Sequence, residues 1–293
     1  MRFPILLWFT FTGAIAFAQP KTIYNDDPFQ KLPLGTHESE YYYRPANGAH
    51  FGEPRVEPPF WWTDMAETTL EVMIYDQGIR DWEPQLDYPG VKLLTATRLD
   101  NPNYLFLLLE IEPGTNPGTL TIALRESAQG PVRNYPYELK ARTPQQTKAQ
   151  GVTAQDLIYL IMPDRFANGD TGNDSVAGMK QQGTNRDKVY FRHGGDLIGI
   201  MEHLDYLESL GVTTLWLNPV LENDQPYESY HGYAITDHYR IDRRLGTNEQ
   251  YRQLVQLAHE RGLKVIMDVV FNQTGDEHWF MHDLPARDWI HQW

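Results

Sequence analysis

The sequence LIYLIM at residues 157–162 opens the part of the chain that decides the fold. It is a continuous apolar run, the pattern of a strand that is buried on both faces. Similar runs follow at residues 213–217 (TTLWL) and 264–270 (KVIMDVV). Residues 200–210 have apolar side chains at helical spacing, and the capping box TNEQ at residues 247–250 predicts the start of a second helix. Strands that alternate with helices indicate parallel βα units.

These βα units predict the beginning of a barrel. Three strands are visible between residues 153 and 293, whereas a (β/α)8 barrel has eight and takes about 250 residues. We therefore interpret residues 153–293 as the N-terminal portion of a TIM barrel and expect the chain to stop inside that fold. In such barrels the active site is built from the loops that follow the C-terminal ends of the strands.

Upstream of the barrel, residues 56–140 have the pattern of a separate β domain. Short apolar or alternating runs lie at residues 69–75, 91–95, 104–111 and 119–124, with Gly- and Pro-rich turns between them. Short strands at near-regular spacing predict an immunoglobulin-like β-sandwich. Residues 141–152 are polar and predict a linker. Residues 19–55 have no sustained period and predict an irregular lead-in.

The first residues have the pattern of a secretory signal peptide. Arg2 supplies a positive charge, residues 5–17 form an apolar run, and Ala16-Phe17-Ala18 gives a small-x-small cleavage site. We expect residues 1–18 to be removed and the protein to be exported to the periplasm or secreted. A membrane anchor is the competing interpretation, but the run is short for a bilayer span.

Composition excludes several function classes. The chain has 25 Lys and Arg against 39 Asp and Glu, and 25 − 39 gives a net charge of −14. This surplus disfavours binding to nucleic acid, and disfavours a membrane surface once the signal is cleaved. The sequence has no cysteine, which excludes disulfides and thiolate metal sites.

The turn after the first barrel strand is rich in oxygen-bearing side chains. Within DRFANGDTGND (residues 164–174) these are Asn168, Asp170, Asn173 and Asp174. Calcium takes roughly six to eight hard oxygen ligands in loose geometry, and Asp196 in the later HGGD adds a carboxylate if the loop folds back. From these residues alone, a solvated Asn/Asp/Gly turn is the competing interpretation.

Two further clusters follow the second and third strands. YHGY at residues 230–233 is followed by Asp237, and an aromatic side chain beside a histidine at a barrel mouth suits sugar stacking and hydroxyl hydrogen bonding. A surface turn with buried tyrosines is the alternative. Asp268 interrupts the third apolar run, and a buried carboxylate is costly unless it is paired or functional.

Together these clusters resemble the α-amylase family, glycoside hydrolase family 13. DRFANGDTGND with HGGD resembles the family's calcium loop, and YHGYAITDHY (residues 230–239) the segment whose tyrosine stacks on the sugar. GLKVIMDVVFNQTG (residues 262–275) resembles its first signature region. Four further motifs resemble the cyclomaltodextrinase and neopullulanase branch of the family. They are LWLNPV (215–220), DEHWFMHDLPARDWI (276–290), EPPFWWTDM (57–65) and NPNYLFLLLEI (101–111).

The resemblance implies roles for individual residues. The implied calcium ligands are Asn168, Asp170, Asn173, Asp174, the Gly194 carbonyl and Asp196. Substrate would be bound by Tyr233 and His231, with Asp268 organising the site floor and Asp237 and Asn272 in structural roles. Gln273, assigned here to substrate binding, stands where the family has a histidine. Glutamine can donate a hydrogen bond but cannot become cationic, so this position leaves subsite affinity and substrate choice open.

No residue of this chain is assigned a catalytic role. A retaining glycosidase needs two carboxyl groups about 5–5.5 Å apart, and the resemblance places the nucleophile, the acid/base and a third aspartate on strands expected beyond Trp293. The expected function is retaining hydrolysis of α-1,4 links in maltodextrins, cyclodextrins or pullulan, with this chain alone inactive. The alternatives are a non-catalytic glucan-binding protein and a transglycosylase. A homodimer through the N-terminal domain is left open.

Overall fold

The computed structural model describes residues 52–142 and 151–290, which belong to one compact unit. The predicted signal peptide (residues 1–18), most of the predicted lead-in and linker residues 143–150 lie outside the described residues. Within the described ranges, no helix has both the length and the apolar character that crossing a bilayer requires.

The N-terminal part consists of eight strands in two four-stranded sheets. The strands are β1 Arg55–Glu57, β2 Phe60–Trp62, β3 Thr69–Tyr75, β4 Glu83–Leu86, β5 Val91–Thr97, β6 Tyr104–Ile111, β7 Gly118–Arg125 and β8 Val132–Lys140. One sheet has the order β1-β3-β6-β5 and the other β2-β8-β7-β4. Side chains from both sheets form a single buried apolar cluster. The predicted β-sandwich is therefore confirmed.

Alternation along a strand decides which side chains are buried. Along β8, every second residue from Tyr135 to Leu139 is buried, and the intervening side chains are exposed. β6 is buried along most of its length because it pairs with both β3 and β5 in the middle of its sheet. Its bounds coincide with the run that the sequence predicted at residues 104–111.

The barrel part contains a three-stranded parallel sheet of order β13-β10-β9. Its strands are β9 Ile158–Ile161, β10 Thr214–Leu217 and β13 Lys264–Met267, with a short antiparallel pair, β11 Leu221–Glu222 and β12 Asp237–Ile241, between the last two. The helices are α1 Pro163–Phe166, α2 Leu197–Glu202, α3 Leu204–Ser209, α4 Asn248–Glu260 and α5 Trp279–His282. Helices α2 and α4 pack on the sheet through a second apolar cluster.

Two details of the strand predictions are wrong. The run at residues 157–162 was predicted to be buried on both faces, but residues 157–160 are between 36% and 57% exposed. The reason is its position, because β9 lies at the edge of the sheet and pairs only with β10 among the described strands. Strand β13 ends at Met267. Asp268 therefore follows the strand instead of interrupting it.

The helical predictions are largely confirmed. The capping box opens α4, because the Thr247 side chain accepts from the Gln250 N–H and the Gln250 side chain accepts from the Thr247 N–H. The single helix predicted over residues 200–210 is instead two short helices that meet at His203. His203 Nδ1 lies 2.7 Å from the Gly199 carbonyl.

Helix α5 joins the loop after β13 to the sandwich. Its N-cap is His278, whose Nδ1 accepts from the Phe280 N–H at 3.2 Å. Burial, together with the nearby His238, Arg55 and His282, lowers the pKa of His278 to about 3. The imidazole is therefore neutral at neutral pH, as an accepting Nδ1 requires.

We expect the free energy of unfolding to fall by about 2 kcal/mol between pH 7 and pH 5, because of His278. The folded-state pKa lies below the ordinary value of about 6.5. The unfolded chain therefore binds the proton more readily, and stability that is complete above that value is lost as the pH falls. Urea unfolding at several pH values measures the slope. In His278→Asn, which keeps a capping side chain, most of this slope should disappear, and an unchanged slope would contradict the assignment.

Candidate functional site

The C-terminal ends of β10 and β13 bring an aspartate, a tryptophan and a tyrosine together. Trp216 lies on β10, and Asp268 directly follows the neighbouring parallel strand β13. Asp268 Oδ2 accepts from Trp216 Nε1 at 3.3 Å and from the Tyr233 hydroxyl at 3.0 Å. Two neutral donors thus orient the carboxylate. Its other oxygen, Oδ1, contacts no donor in the described part of the chain.

Tyr233 and His231 form the aromatic part of this cluster. Their rings are nearly parallel, with 6.0 Å between centroids, and Tyr233 is 38% exposed. The Tyr233 N–H donates to His231 Nδ1 at 2.9 Å, and burial lowers the pKa of His231. Burial and the hydrogen bond to Asp268 raise the pKa of the Tyr233 phenol, so it stays a donor. An exposed ring with a polar end suits a sugar face and its hydroxyls.

Gln273 contacts the same cluster through the backbone. Its Nε2 donates to the Tyr233 carbonyl at 3.2 Å. The four residues assigned to substrate binding, His231, Tyr233, Asp268 and Gln273, are therefore linked by direct hydrogen bonds and ring contacts.

The two residues assigned structural roles make no hydrogen bond to the residues of that cluster. Asp237 begins β12, where it accepts from the Tyr239 N–H at 2.8 Å and lines a cavity of about 110 Å³ that is shared with β1. Asn272 is exposed and makes no hydrogen bond to another described residue. A loop-stabilising role for Asn272 stays a prediction.

Sequence reasoning missed Trp216. It lies in the quoted motif LWLNPV, but the apolar run gave no indication that one of its side chains faces the site. In β10 its neighbours Leu215 and Leu217 are buried, whereas Trp216 is 39% exposed. Strand alternation, counted from the buried leucines, was the available signal.

The oxygen-rich turn folds as the loop-back that the sequence suggested. Asn168 Nδ2 donates to Asp174 Oδ1 at 2.8 Å, and Asn173 Nδ2 donates to Asp196 Oδ2 at 3.1 Å. Gly194 adopts φ +89°, and a Cβ atom there would lie 2.4 Å from Asp174 Oδ1. Only a glycine therefore lets this backbone approach the turn so closely.

Asp196 organises the loop with both carboxylate oxygens. Oδ1 accepts from the N–H groups of Gly169 and Gly199, the second of which caps α2. Oδ2 accepts from the Asp170 N–H and from Asn173 Nδ2. A carboxylate has about four lone-pair sites, and these four bonds occupy them. Its assignment as a direct metal ligand stays a prediction.

Two oxygen atoms that remain unpaired in the turn are suitable ligands for a hard cation. Asn168 Oδ1 and Asn173 Oδ1 are buried without a hydrogen-bond partner, and buried acceptors are normally paired. In the part of the chain that the structure describes, no group of three or more His, Asp and Glu side chains is placed to hold a metal. A metal here would therefore need amide and carbonyl oxygens in addition to carboxylates, a mixture that calcium accepts.

A buried network of arginines and aspartates connects the turn to the residues that follow β12. Arg244 donates to Asp242 from Nε at 2.9 Å and from Nη2 at 2.7 Å. Arg192 donates to the carbonyl oxygens of Asp174 and Arg244 and lies 3.6 Å from Asp164. All of these charged side chains are almost completely buried. Charge pairing offsets the large desolvation cost of such groups.

Comparison with known proteins identifies both parts of the chain. Residues 160–292 match the family described as alpha amylase, catalytic domain, and residues 55–143 match the family described as cyclomaltodextrinase, N-terminal. Neopullulanase 2 of Thermoactinomyces vulgaris is 40% identical over 128 residues, which are 44% of this chain and 21% of that protein. The cyclomaltodextrinase of Thermoanaerobacter pseudethanolicus is 37% identical over 150 residues, which are 48% of this chain and 25% of that protein.

The chain was also compared with solved structures. The crystal structure of the α-amylase from Geobacillus thermoleovorans, complexed with acarbose, is 39% identical and covers 47% of this chain and 28% of that chain, with a TM-score of 0.38. The chain spans at most about a quarter of the length of the first curated relatives that it matches. In succession along the sequence, the chain therefore contains a cyclomaltodextrinase N-terminal domain and part of an α-amylase catalytic domain.

Proposed function

We propose that the whole protein hydrolyses α-1,4 links in maltodextrins, cyclodextrins or pullulan, with retention of the anomeric configuration. The observation that carries the proposal is the cluster of His231, Tyr233 and Asp268, where an exposed aromatic face lies beside an oriented carboxylate. This combination suits a pyranose ring whose hydroxyls need acceptors. The names of the relatives, neopullulanase and cyclomaltodextrinase, support the same substrate class.

In this proposal, the described residues bind and orient the sugar. Tyr233 would stack on the sugar, His231 and Gln273 would contact its hydroxyls, and Asp268 would present Oδ1 to the bound ring. The two carboxyl groups of a retaining mechanism, about 5–5.5 Å apart, are not assigned to any residue of this chain.

We also propose a structural calcium ion and export. Asn168, Asp170, Asn173, Asp174 and the Gly194 carbonyl would hold the ion, with Asp196 ordering the loop. The ion would cross-link segments that are distant in sequence and stabilise the fold by mass action. The pattern at residues 1–18 supports export to the periplasm or the medium.

Product analysis tests the proposed function. The whole protein should release glucose and maltose from maltotriose, and proton NMR should show the α-anomer first. Binding to these glucans without turnover would favour a non-catalytic glucan-binding protein. Longer oligosaccharides among the early products would favour a transglycosylase. First appearance of the β-anomer would contradict retention.

We expect Gln273→His to raise kcat/KM on maltotriose several-fold, mainly through kcat. Gln273 Nε2 is engaged with the Tyr233 carbonyl, whereas a histidine could become cationic and donate to a hydroxyl of the distorted ring. A hydrogen bond that strengthens in the transition state raises kcat, and about 1 kcal/mol corresponds to roughly five- to tenfold. Both proteins should be assayed on maltotriose, a cyclodextrin and pullulan. A loss on all three substrates would mean that glutamine is adapted to this site.

A further inference from the structure

We refer to His231, Tyr233, Asp268 and Gln273 as the substrate cluster. The motif HWFMHDLPARDW contains none of these residues, but it makes an extensive contact with the sandwich. We refer to residues 278–289 as the docking segment. Tyr75, Tyr104 and Phe106 present an aromatic face from β3 and β6, and the rings of the docking segment pack on it. Trp279 lies 5.0 Å from Tyr75, and Trp289 lies 5.7 Å from Phe106, between ring centroids.

A buried carboxylate lies at the centre of this contact. Asp283 is 2% exposed, and its Oδ2 accepts from the Tyr75 hydroxyl at 2.9 Å and from Asn103 Nδ2 at 2.8 Å. Its Oδ1 accepts from Asn101 Nδ2. The donors are neutral groups of the sandwich, and burial raises the pKa of Tyr75, which keeps its hydroxyl protonated. The sandwich thus supplies the donors that the buried Asp283 carboxylate requires.

The sandwich also binds the backbone of the docking segment. The Tyr104 hydroxyl donates to the Asp283 carbonyl, Asn101 Nδ2 to the Leu284 carbonyl, and the Asn101 N–H to the Pro285 carbonyl. Three consecutive carbonyl oxygens are therefore bound by one turn of the sandwich. Asn101 and Tyr104 have no exposed surface.

The same segment continues the loop that carries Gln273. That loop begins at Asp268, which accepts hydrogen bonds from Tyr233 and Trp216. Further along the loop, the Gly275 N–H donates to the Ile235 carbonyl at 2.8 Å. The docking segment follows at once. Its attachment to the sandwich therefore determines where the chain goes after the substrate cluster.

We propose that the sandwich is an intramolecular holder of the loop after β13, and that Asp283 is the positioning residue that attaches the docking segment to it. The sandwich thereby positions the loop that carries Gln273 without itself contacting the substrate. The attachment itself does not depend on the proposed function, but its effect on glucan binding does. Hydrogen exchange tests the attachment separately from activity.

The variant Asp283→Asn decides the proposal. Asparagine replaces one acceptor oxygen by a donor, so in either orientation its NH₂ group faces a sandwich donor, and a buried donor loses its partner. Amides of residues 278–289 should then exchange about tenfold faster or more, with a smaller acceleration at residues 268–275. Exchange in β7, β8 and α4 should stay unchanged, because local opening leaves other units protected. The control is Asp276→Asn, the same change at an exposed side chain of the same loop, which should leave exchange unchanged.

A milder variant covers the case in which Asp283→Asn does not fold. Tyr104→Phe keeps the ring contacts and removes only the hydroxyl that donates to the Asp283 carbonyl. It should accelerate exchange several-fold, again confined to the docking segment and the adjoining loop. Unchanged exchange in the docking segment, or equal acceleration throughout the chain in Tyr104→Phe, would overturn the proposal.

Discussion

Calcium should raise the thermal unfolding midpoint of the metal-stripped protein by about 5–10 °C. A ligand that binds only the folded state at about 100 times its dissociation constant contributes about 2.7 kcal/mol. For a protein of this size, each kcal/mol shifts the midpoint by about 2–4 °C. The site that motivates the expectation contains the unpaired oxygens of Asn168 and Asn173. Differential scanning calorimetry with and without millimolar calcium measures the rise.

Asp170→Asn should remove most of that rise. The substitution deletes one negative charge but keeps a side-chain oxygen that can accept from the Gly172 N–H, as Asp170 does at 2.9 Å. The control is Asp187→Asn, the same change at an exposed side chain of a nearby loop, which should respond to calcium like the unaltered protein. If calcium leaves the midpoint of the unaltered protein where it was, the turn is a solvated Asn/Asp/Gly loop.

The sandwich could be predicted because its information is local. Alternation within β3 and β7 reports which side chains face the core, and the continuous apolar run of β6 indicates a buried strand. The observed bounds of these three strands differ from the predicted runs by at most one residue at each end. The capping box of α4 is equally local, since a Thr–Gln pair three residues apart forms both of its hydrogen bonds. Patterns of this kind need no knowledge of the tertiary fold.

Contacts between distant residues could not be predicted in this way. Asn101 and Asp283 are 182 positions apart, and nothing near either residue indicates that they meet. The exposure of β9 depends on which strands flank it, which the apolar run cannot report. Trp216 was missed for a related reason, because only its pairing with β13 brings the indole to Asp268.

The residues of the substrate cluster could be predicted in part. His231, Tyr233, Asp268 and Gln273 come from two loops, and their contact follows from parallel strands that end at the same edge of the sheet. The sequence predicted that edge, but not that two donors would share one oxygen of Asp268. This orientation allows the charge of Asp268 to be tested without changing its geometry.

Asp268→Asn should lower kcat/KM of the whole protein on maltotriose by about 100-fold or more. The asparagine oxygen can take the place of Oδ2 and keep the donors Tyr233 and Trp216, so the side chain retains its position. The substitution then replaces the free Oδ1 by an NH₂ group and removes one negative charge. Removing a preoriented electrostatic group from an active site costs about 10²–10³ in kcat. Because the transition state of glycoside hydrolysis is oxocarbenium-like, loss of this charge should act mainly on kcat.

Two matched variants separate the charge of Asp268 from the stability of its surroundings. Asp276→Asn makes the same change at an exposed position of the same loop and should leave kcat/KM within about twofold, as expected for a solvated side chain. Tyr233→Phe keeps the stacking ring but removes one donor to Oδ2, and the loss of about 1 kcal/mol should lower kcat/KM by about fivefold. Equal unfolding midpoints for the three variants would show that the differences arise in the site. If Asp268→Asn lost no more activity than Tyr233→Phe, the carboxylate would serve only to hold the tyrosine, and the charge would have no part in the reaction.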